Sequence, residues 1–574
     1  MKYKITYLLI IASYTLCAQL DIEWVLQSYG KSSEYINSLA TDKEDNIYIT
    51  GDYFHNELLL GAYVFKKGRS RASSFIAKID KHGEIVWAKS MITVTGWPNY
   101  SYVDADDEGN MYLSASFLGK VIVIGEDTIY NPNTFEQDIT IYLAKFDPTG
   151  KLIFVKNSKI TERGEVYSSE ILVDAKRGYA YTYITTNSDL LTFDSFEIKN
   201  PSPVKRLHKY ILKWDLTGRI IWAIPVEASK AKYLNTLQLD SKGNILVNGS
   251  FYGSKIWVHE DTLYNTHPDT NTTVGFLIKL TPDGELIWSK VIGARTFDSR
   301  TSFVKTDQYD NIYLNGFYRD QLIIGGDTLS NPDFTTWDYY LIKYSPEGTP
   351  LWTRTRSYGF SPGNESVAIT PGGNIFLHSH FTDSVLYLGE YEIVNNGGLD
   401  NIIVYYNPQG DIIWAYGYGG TDFEAPLDIA TDSEGNLILP GRFKSKEMWL
   451  GEYLLTNEFT VDSLGGTSLM NFFVAKVIPD TSTSIITLSP SSLDIKAHYR
   501  SADNGIYLTV NGMHSGTRAR IDVFDMSGRL LRPYITSISS SQYLIEASSL
   551  PAAAYIIRVS DGVVIRSVPV VVVR

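Results

Sequence analysis

The chain is poor in cysteine, in long apolar runs and in helical spacing, and each shortage removes a class of protein. Among 574 residues there is a single cysteine, Cys17. It falls in a segment built like a secretory leader: Lys2 and Lys4 as the charged start, "ITYLLIIA" as the apolar centre, and "LCA" as a small-residue cleavage site before Gln19. A chain cut after Ala18 has no cysteine left, which excludes disulfides, thiolate metal ligands and cysteine nucleophiles together. The leader's apolar run is too short to span a bilayer, and no later stretch is long and apolar enough, so no transmembrane segment is expected in the mature chain. Positive charge is scarce as well. The formal net charge is −13; with +2 in the leader and +3 in residues 488–574, the body between carries −18. A body this acidic repels phosphate backbones, and nucleic acid is not an expected partner.

What is abundant is tyrosine, 40 residues, and glycine, 44, in alternating apolar–polar stretches. That composition favours an all-β protein. Two turn signatures recur. One is Asp-x-x-Gly/Asp-Asn entering a strand, as in "TDKEDNIYITG", "ADDEGNMYLSA", "LDSKGNILVNG", "TDQYDNIYLNG" and "TDSEGNLILPG". The other is a short polar residue, two more and Gly, leading to an aromatic strand, as in "KIDKHGEIVW", "KWDLTGRIIW" and "YYNPQGDIIW". In both, the polar side chain can cap the turn while Gly or Asn takes the left-handed position. A third recurring piece, such as "LLLGAYVF" or "LIIGGDTLSN", is expected to form an extra hairpin.

The aromatic strand is marked by Trp24, Trp87, Phe154, Trp222, Trp288, Trp352 and Trp414, at separations of 63, 67, 68, 66, 64 and 62 residues. A regular period with several short strands per unit means radial or linear repetition. First-turn strands begin near Asn46, Asn110, Tyr179, Asn244, Asn311, Asn374 and Asn436, but only six are followed by their own aromatic strand. The orphan strand at Trp24 is the missing piece. Pairing it beside Phe472–Lys476 would complete the last unit and bury both end edges. The expected fold is therefore all-β: a seven-bladed β-propeller closed by its N-terminal strand, with each Trp packed between adjacent blades.

With these residues in view, "D-x-x-G-N-I-Y-x-x-G" and "F-x-x-K-x-D-x-x-G-x-x-x-W" resemble the seven-bladed β-propeller (SBBP) repeats of exported bacterial proteins over residues 20–480. The resemblance implies a fold and no common reaction. Residues 478–493 read as a Ser/Thr/Pro-rich linker. Residues 494–574 are similar to the C-terminal sorting domain of type IX secretion cargo, an immunoglobulin-like β-sandwich. The match rests on Val523-Phe524-Asp525-Met526-Ser527-Gly528-Arg529, the Leu550–Tyr555 turn and the final apolar strand. With the leader at residues 1–18 and the propeller over 19–477, that resemblance implies the type IX machinery as partner and a secreted or outer-surface location.

No Ser-His-Asp order, spaced carboxylate pair or phosphate loop stands out, and no cofactor is implied. "LHSHF" puts His378 and His380 on one face of a strand, where a metal would need a third ligand and packing is the simpler reading. Asp104, Asp106 and Glu108 echo part of a calcium loop in what otherwise reads as a solvated hairpin. The loops before each innermost strand would gather at one mouth of the channel. They carry Trp97, Tyr100, Arg163, Glu165, Arg295, Arg300, Glu365, Asp422 and Glu424, a set able to hold a glycan or a peptide. The function expected is non-catalytic binding or scaffolding; a hydrolase or lyase using Glu165, Glu365 and Glu424 is the alternative.

Overall fold

A computed structural model describes residues 20–479, apart from short stretches of which the longest are 201–206, 358–364 and 458–468, and the strands of residues 494–571. The expected leader, Arg163, Arg295 and nearly all of the expected linker lie outside the described residues. Every regular element among those described is a β-strand. The chain divides into two compact units, Met1–Asp480 and Thr481–Arg574.

The first unit is a β-propeller. Its first sheet shows how a repeat is built: Glu34–Thr41 innermost, then Ile47–Tyr53, Ser73–Ile79 and Ile85–Thr93, all antiparallel. Two more strands, Val121–Ile124 and Asp127–Tyr130, pair onto the outer strand of that sheet. They are the expected extra hairpin, yet they belong in sequence to the next repeat, between its second and third strands. Each hairpin thus grips the blade before it. The same four-plus-two pattern forms the next three sheets. The sheets ending at Pro350–Ser357 and Ile412–Tyr418 keep four strands, and the hairpins that would follow them form two-stranded sheets of their own.

The opening strand completes the last of these sheets. Asp21–Gly30 pairs antiparallel with Asn471–Ile478, with Trp24 opposite Lys476, Val25 opposite Ala475 and Gln27 opposite Phe473. On its other side Ser28, Tyr29 and Gly30 face Leu60, Leu59 and Leu58 of the first repeat's hairpin. One strand therefore ties the end of the unit to its beginning. Sheet pairing consumes the backbone donors on both of its edges.

The aromatic strands explain how neighbouring sheets lock. The Trp24 indole donates to Lys81 O at 3.0 Å, Trp87 to Pro148 O at 3.0 Å and Trp352 to Pro408 O at 3.1 Å, each acceptor lying in the second turn of the following repeat. Gly83 in that turn has φ 85°, and a Cβ there would stand 2.6 Å from the Trp24 ring. Glycine is required twice over: for the left-handed conformation and for the ring's approach. Trp24 belongs to a core that joins Ile47, Phe75 and Leu58 to Ile438, Phe472 and Val474.

The recurring pattern of Asp, Asn and Lys within the repeats is a buried cross-brace. Asp240 Oδ1 accepts the backbone N–H of Lys242 and Asn244 at 2.9 and 2.8 Å, closing the first turn. Lys279, from the third strand, reaches Asp240 at 2.9 Å and donates to Pro346 O of the next repeat at 3.0 Å. The same pairing recurs as Lys78–Asp42, Lys145–Asp106, Lys343–Asp307 and Lys476–Asp432. Where the turn residue is Thr370, the lysine is replaced by Tyr405, whose hydroxyl accepts from Asn374 at 2.7 Å. Asp45 and Asp310 take the left-handed place of Gly, and each carboxylate holds a serine of the preceding repeat, Ser433 and Ser241.

Glu34, at the start of the first innermost strand, is fully buried against Ser28, which donates to it at 2.8 Å. Burial pushes its pKa to about 8, and the Ser28 bond opposes this only in part. A carboxyl with a raised folded pKa stabilises most when protonated, and that contribution fades as pH rises from about 4.5 towards 8. Glu34→Gln should therefore raise the unfolding temperature at pH 8.5 and change it little at pH 5. Melting curves across that window check this.

The second unit contains a three-stranded sheet (Asp494–Arg500, Gly505–Asn511, Gln542–Glu546) and a four-stranded one (Leu530–Thr536, Ala519–Asp525, Ala554–Ser560, Ile565–Val571). Ile506, Leu508, Ile521, Val523, Ile545 and Ile557 are buried in it.

Candidate functional site

The innermost strands touch one another in order, and Glu34–Thr41 also meets Ala430–Thr431 of the last sheet. Five of these strands carry a register shift near their middle, for instance between Ile36 and Ser38 and between Leu234 and Leu237. A bulge leaves a backbone N–H without its ladder partner and turns side chains toward the axis. Side chains of the preceding sheet meet several of these strands. Ser38 donates toward Val103 O and accepts from its N–H at 3.2 Å, Thr236 accepts from Val304 N at 3.1 Å, and Ser366 accepts from Ile429 N at 3.1 Å. At two places the capping group is a carboxylate: Glu170 takes the Leu237 N–H and Asp104 takes that of Val173.

These two carboxylates are half-buried on the channel wall. Burial raises Asp104 to about 6 and Glu170 to about 8, while Lys305 of a more distant sheet pulls both back. Asp104 is thus a cap for a neighbouring sheet. Asp106 is engaged separately, by Glu108 N, Asn110 N and Tyr112 OH. The three carboxylates of "DADDEGN" do not converge on one point: Asp106 and Glu108 both accept from the Asn110 side chain, while Asp104 accepts from Val173 N.

His378 and His380 share a strand face, as the spacing predicts. His378 is fully buried between Leu427 O at 3.1 Å and the Tyr418 hydroxyl at 2.7 Å. Burial lowers its pKa to about 3, and that of His380 to about 4, so both are neutral at ordinary pH. The nearest acid to His380 is Glu365, at 3.8 Å. No group of three metal-ligating side chains occurs among the described residues.

The residues expected at the channel mouth divide between surface and interior. Trp97 opens its strand and is exposed, as are Glu165 and Arg300. The Arg300 and Arg319 guanidinium groups lie 5.3 and 4.5 Å from the centre of the Trp337 ring. Tyr100 lies in the strand Trp97–Ala105, but its side chain is outside the described residues. Asp422 is half-buried and paired with Lys444 at 3.0 Å. Glu365 and Glu424 are interior groups, 1% and 0% exposed. Glu424 accepts from Gly420 N at 2.9 Å and Ser445 N at 3.2 Å, so it staples the loop that enters the last sheet. Sequence spacing places both glutamates before an innermost strand, but it does not say that the fold buries them.

Sequence reasoning passed over the opposite mouth. There the first turns enclose a cavity of about 390 Å³, lined among others by Lys43, Asp45, Asp107, Gln308, Pro371 and Ser433. Its residues were legible as turn formers and gave no separate signal of a cavity. Asp42, Asp307 and Asp432 on its wall are taken up by Lys78, Lys343 and Lys476.

No family model matches the chain. A WD repeat-containing protein of Acanthamoeba polyphaga mimivirus, itself uncharacterized, is 21% identical, over 45% of this chain. The match spans 28% of that relative's length. Among solved structures, a puromycin hydrolase aligns with 84% of this chain and 58% of its own at 9% identity and a TM-score of 0.40. An apocarotenoid oxygenase of Synechocystis aligns with 68% of this chain and 73% of its own, at 12% identity and a TM-score of 0.33. A quinoprotein alcohol dehydrogenase-like protein of Bacteroides thetaiotaomicron aligns with 93% and 100%, at 10% identity and 0.24. The chain is a repeat-built β-propeller.

Proposed function

We propose that this protein is an exported bacterial binding or scaffold module, delivered to the outer surface or the medium by type IX secretion. Residues 19–477 form a seven-bladed SBBP-type propeller closed by its own opening strand. Residues 494–574 form an immunoglobulin-like sandwich that addresses the chain to the secretion machinery, after the leader has taken it into the periplasm. The ligand is a glycan or a protein held at the mouth that carries Trp97, Glu165 and Arg300. One observation carries the binding reading over catalysis: Glu424, a carboxylate the hydrolase or lyase alternative needs, is buried and already spent on two backbone donors. Glycoside hydrolysis requires two carboxyl groups that face each other across a reachable cleft.

Two measurements test this. Glycan arrays and polymer-hydrolysis assays on the intact mature protein should give binding without turnover; turnover of any polymer overturns the non-catalytic reading. Removing residues 490–574 should leave the propeller folded and held in the periplasm. Arrival of the shortened protein in the medium through an intact outer membrane would defeat the sorting assignment.

A further inference from the structure

Taking the mouth that carries Arg300 as the binding face, we infer that it holds a glycan through one acidic sugar, a uronic or sialic acid, whose carboxylate is clamped by Arg300 and Arg319. Two guanidinium groups share one indole there, 5.3 and 4.5 Å from the centre of the Trp337 ring. Arg300 is exposed and Arg319 half-buried, while Trp337 is buried in one core with Phe317 and Tyr339. A fixed ring therefore supports two otherwise flexible cations, which lowers the entropy lost when a ligand orders them. Two like charges on one ring repel each other, and an oxyanion that meets both relieves the repulsion.

The fold does not ask for these three residues. Arg300 pairs across its sheet with Phe317, and the residues in the same register elsewhere are Tyr35, Asn99, Tyr167, Tyr233 and Ala425. Trp337 precedes the residue paired with Tyr318, a place held in the other repeats by Ala72, Ile139, Leu207, Thr273, Leu399 and Met470. None of those repeats has an arginine at the place of Arg319. The same rim is thus built elsewhere from neutral and smaller side chains, and the trio converges in one sheet alone. Two carboxylates close to it in sequence serve their own backbone: Asp298 accepts from Thr273 N at 2.8 Å and Asp333 from Thr335 N at 3.0 Å.

The surroundings select the ligand. The body carries −18 and repels a polyanion, but its field is screened beyond about 8 Å at physiological salt. A single carboxylate lying against two guanidinium groups is therefore governed by them. Tyr233, 60% exposed, holds the register position of Arg300 on the adjoining innermost strand. An exposed aromatic face takes the apolar side of a pyranose ring, while the paired arginines take its acid.

The test is calorimetric titration of the mature protein with 3′-sialyllactose and with trigalacturonic acid, against lactose and the methyl-esterified trisaccharide. At least one acid should bind saturably, and its neutral counterpart about tenfold more weakly or worse. Arg300→Gln should weaken the acid by about the same factor at an unchanged unfolding temperature, because the side chain is exposed. Tyr233→Ala should weaken acidic and neutral forms alike. Phenylglyoxal, which modifies accessible guanidinium groups, gives a second readout: the acid should protect Arg300 in a peptide mass map, and its neutral parent should not. Equal binding of acidic and neutral glycans, or Arg300→Gln without effect, would overturn the acidic-sugar assignment and leave the mouth as a binding face. Tighter binding of heparin or of a tripeptide with a free carboxylate than of both oligosaccharides would overturn it as well. Absence of any glycan or protein ligand would defeat the mouth reading itself.

Discussion

A chain lacking Asp21–Tyr29 is expected to unfold at a markedly lower temperature than the full chain and to aggregate. The deletion strips both edges at once: the ladder to Asn471–Ile478 and the seat of the first repeat's hairpin. It also removes Trp24, 9% exposed, from the core between the last and first sheets. Burial of that ring alone contributes roughly 1.5–3 kcal/mol, and the freed strand edges invite pairing with other chains. Trp24→Ala, which keeps the strand, should still cost about 3–5 kcal/mol as a core truncation. A nine-residue deletion within residues 480–489 is the control, and should cost little. Thermal unfolding with light scattering compares the two. Equal melting temperatures for the two deletions would mean that the unit is not held closed by its opening strand.

Lys279→Met should destabilise the protein by about 3–5 kcal/mol, the cost of leaving a buried charge without its partner. The Lys279 and Asp240 side chains are 5% and 1% exposed. Burial works to raise the Asp240 pKa, but hydrogen bonds from Lys279 and Asn244 outweigh it and leave the pKa below its usual value. A depressed folded pKa means stability that is present above the unfolded value, about 3.9, and is lost as pH falls through the folded one. The wild-type advantage over Lys279→Met should therefore be full near pH 7 and shrink in strong acid. In the variant Asp240 is buried with no cation, so protonation relieves it. Denaturant unfolding of both proteins at pH 7 and pH 3 measures the difference. Lys66→Met, on an exposed strand position, should show no such loss.

The sequence by itself determined the repeat, its period, its turn chemistry and the place of the opening strand. These are local matters: a left-handed turn selects Gly at one position, although Asp45 and Asp310 rather than the expected Asn are its substitutes there; alternation selects a strand, and the unpaired Trp24 segment has one vacant place to go. It also foresaw that each Trp packs between sheets, because a large ring at one position per repeat has few other uses. The partners of the recurring Lys and Asp were beyond it, since Lys279 and Asp240 meet only when the third strand lies beside the first turn. That each extra hairpin grips the preceding sheet was equally hidden, because hydrogen-bond partners across a sheet leave no mark on spacing. Glu365 and Glu424 show the limit most plainly. Both stand before an innermost strand, where a loop would expose them, yet the fold carries them inside and sets Glu424 to hold backbone N–H groups. Whether a carboxylate faces water or an amide depends on chain segments far away in sequence, and the tertiary structure alone decides it.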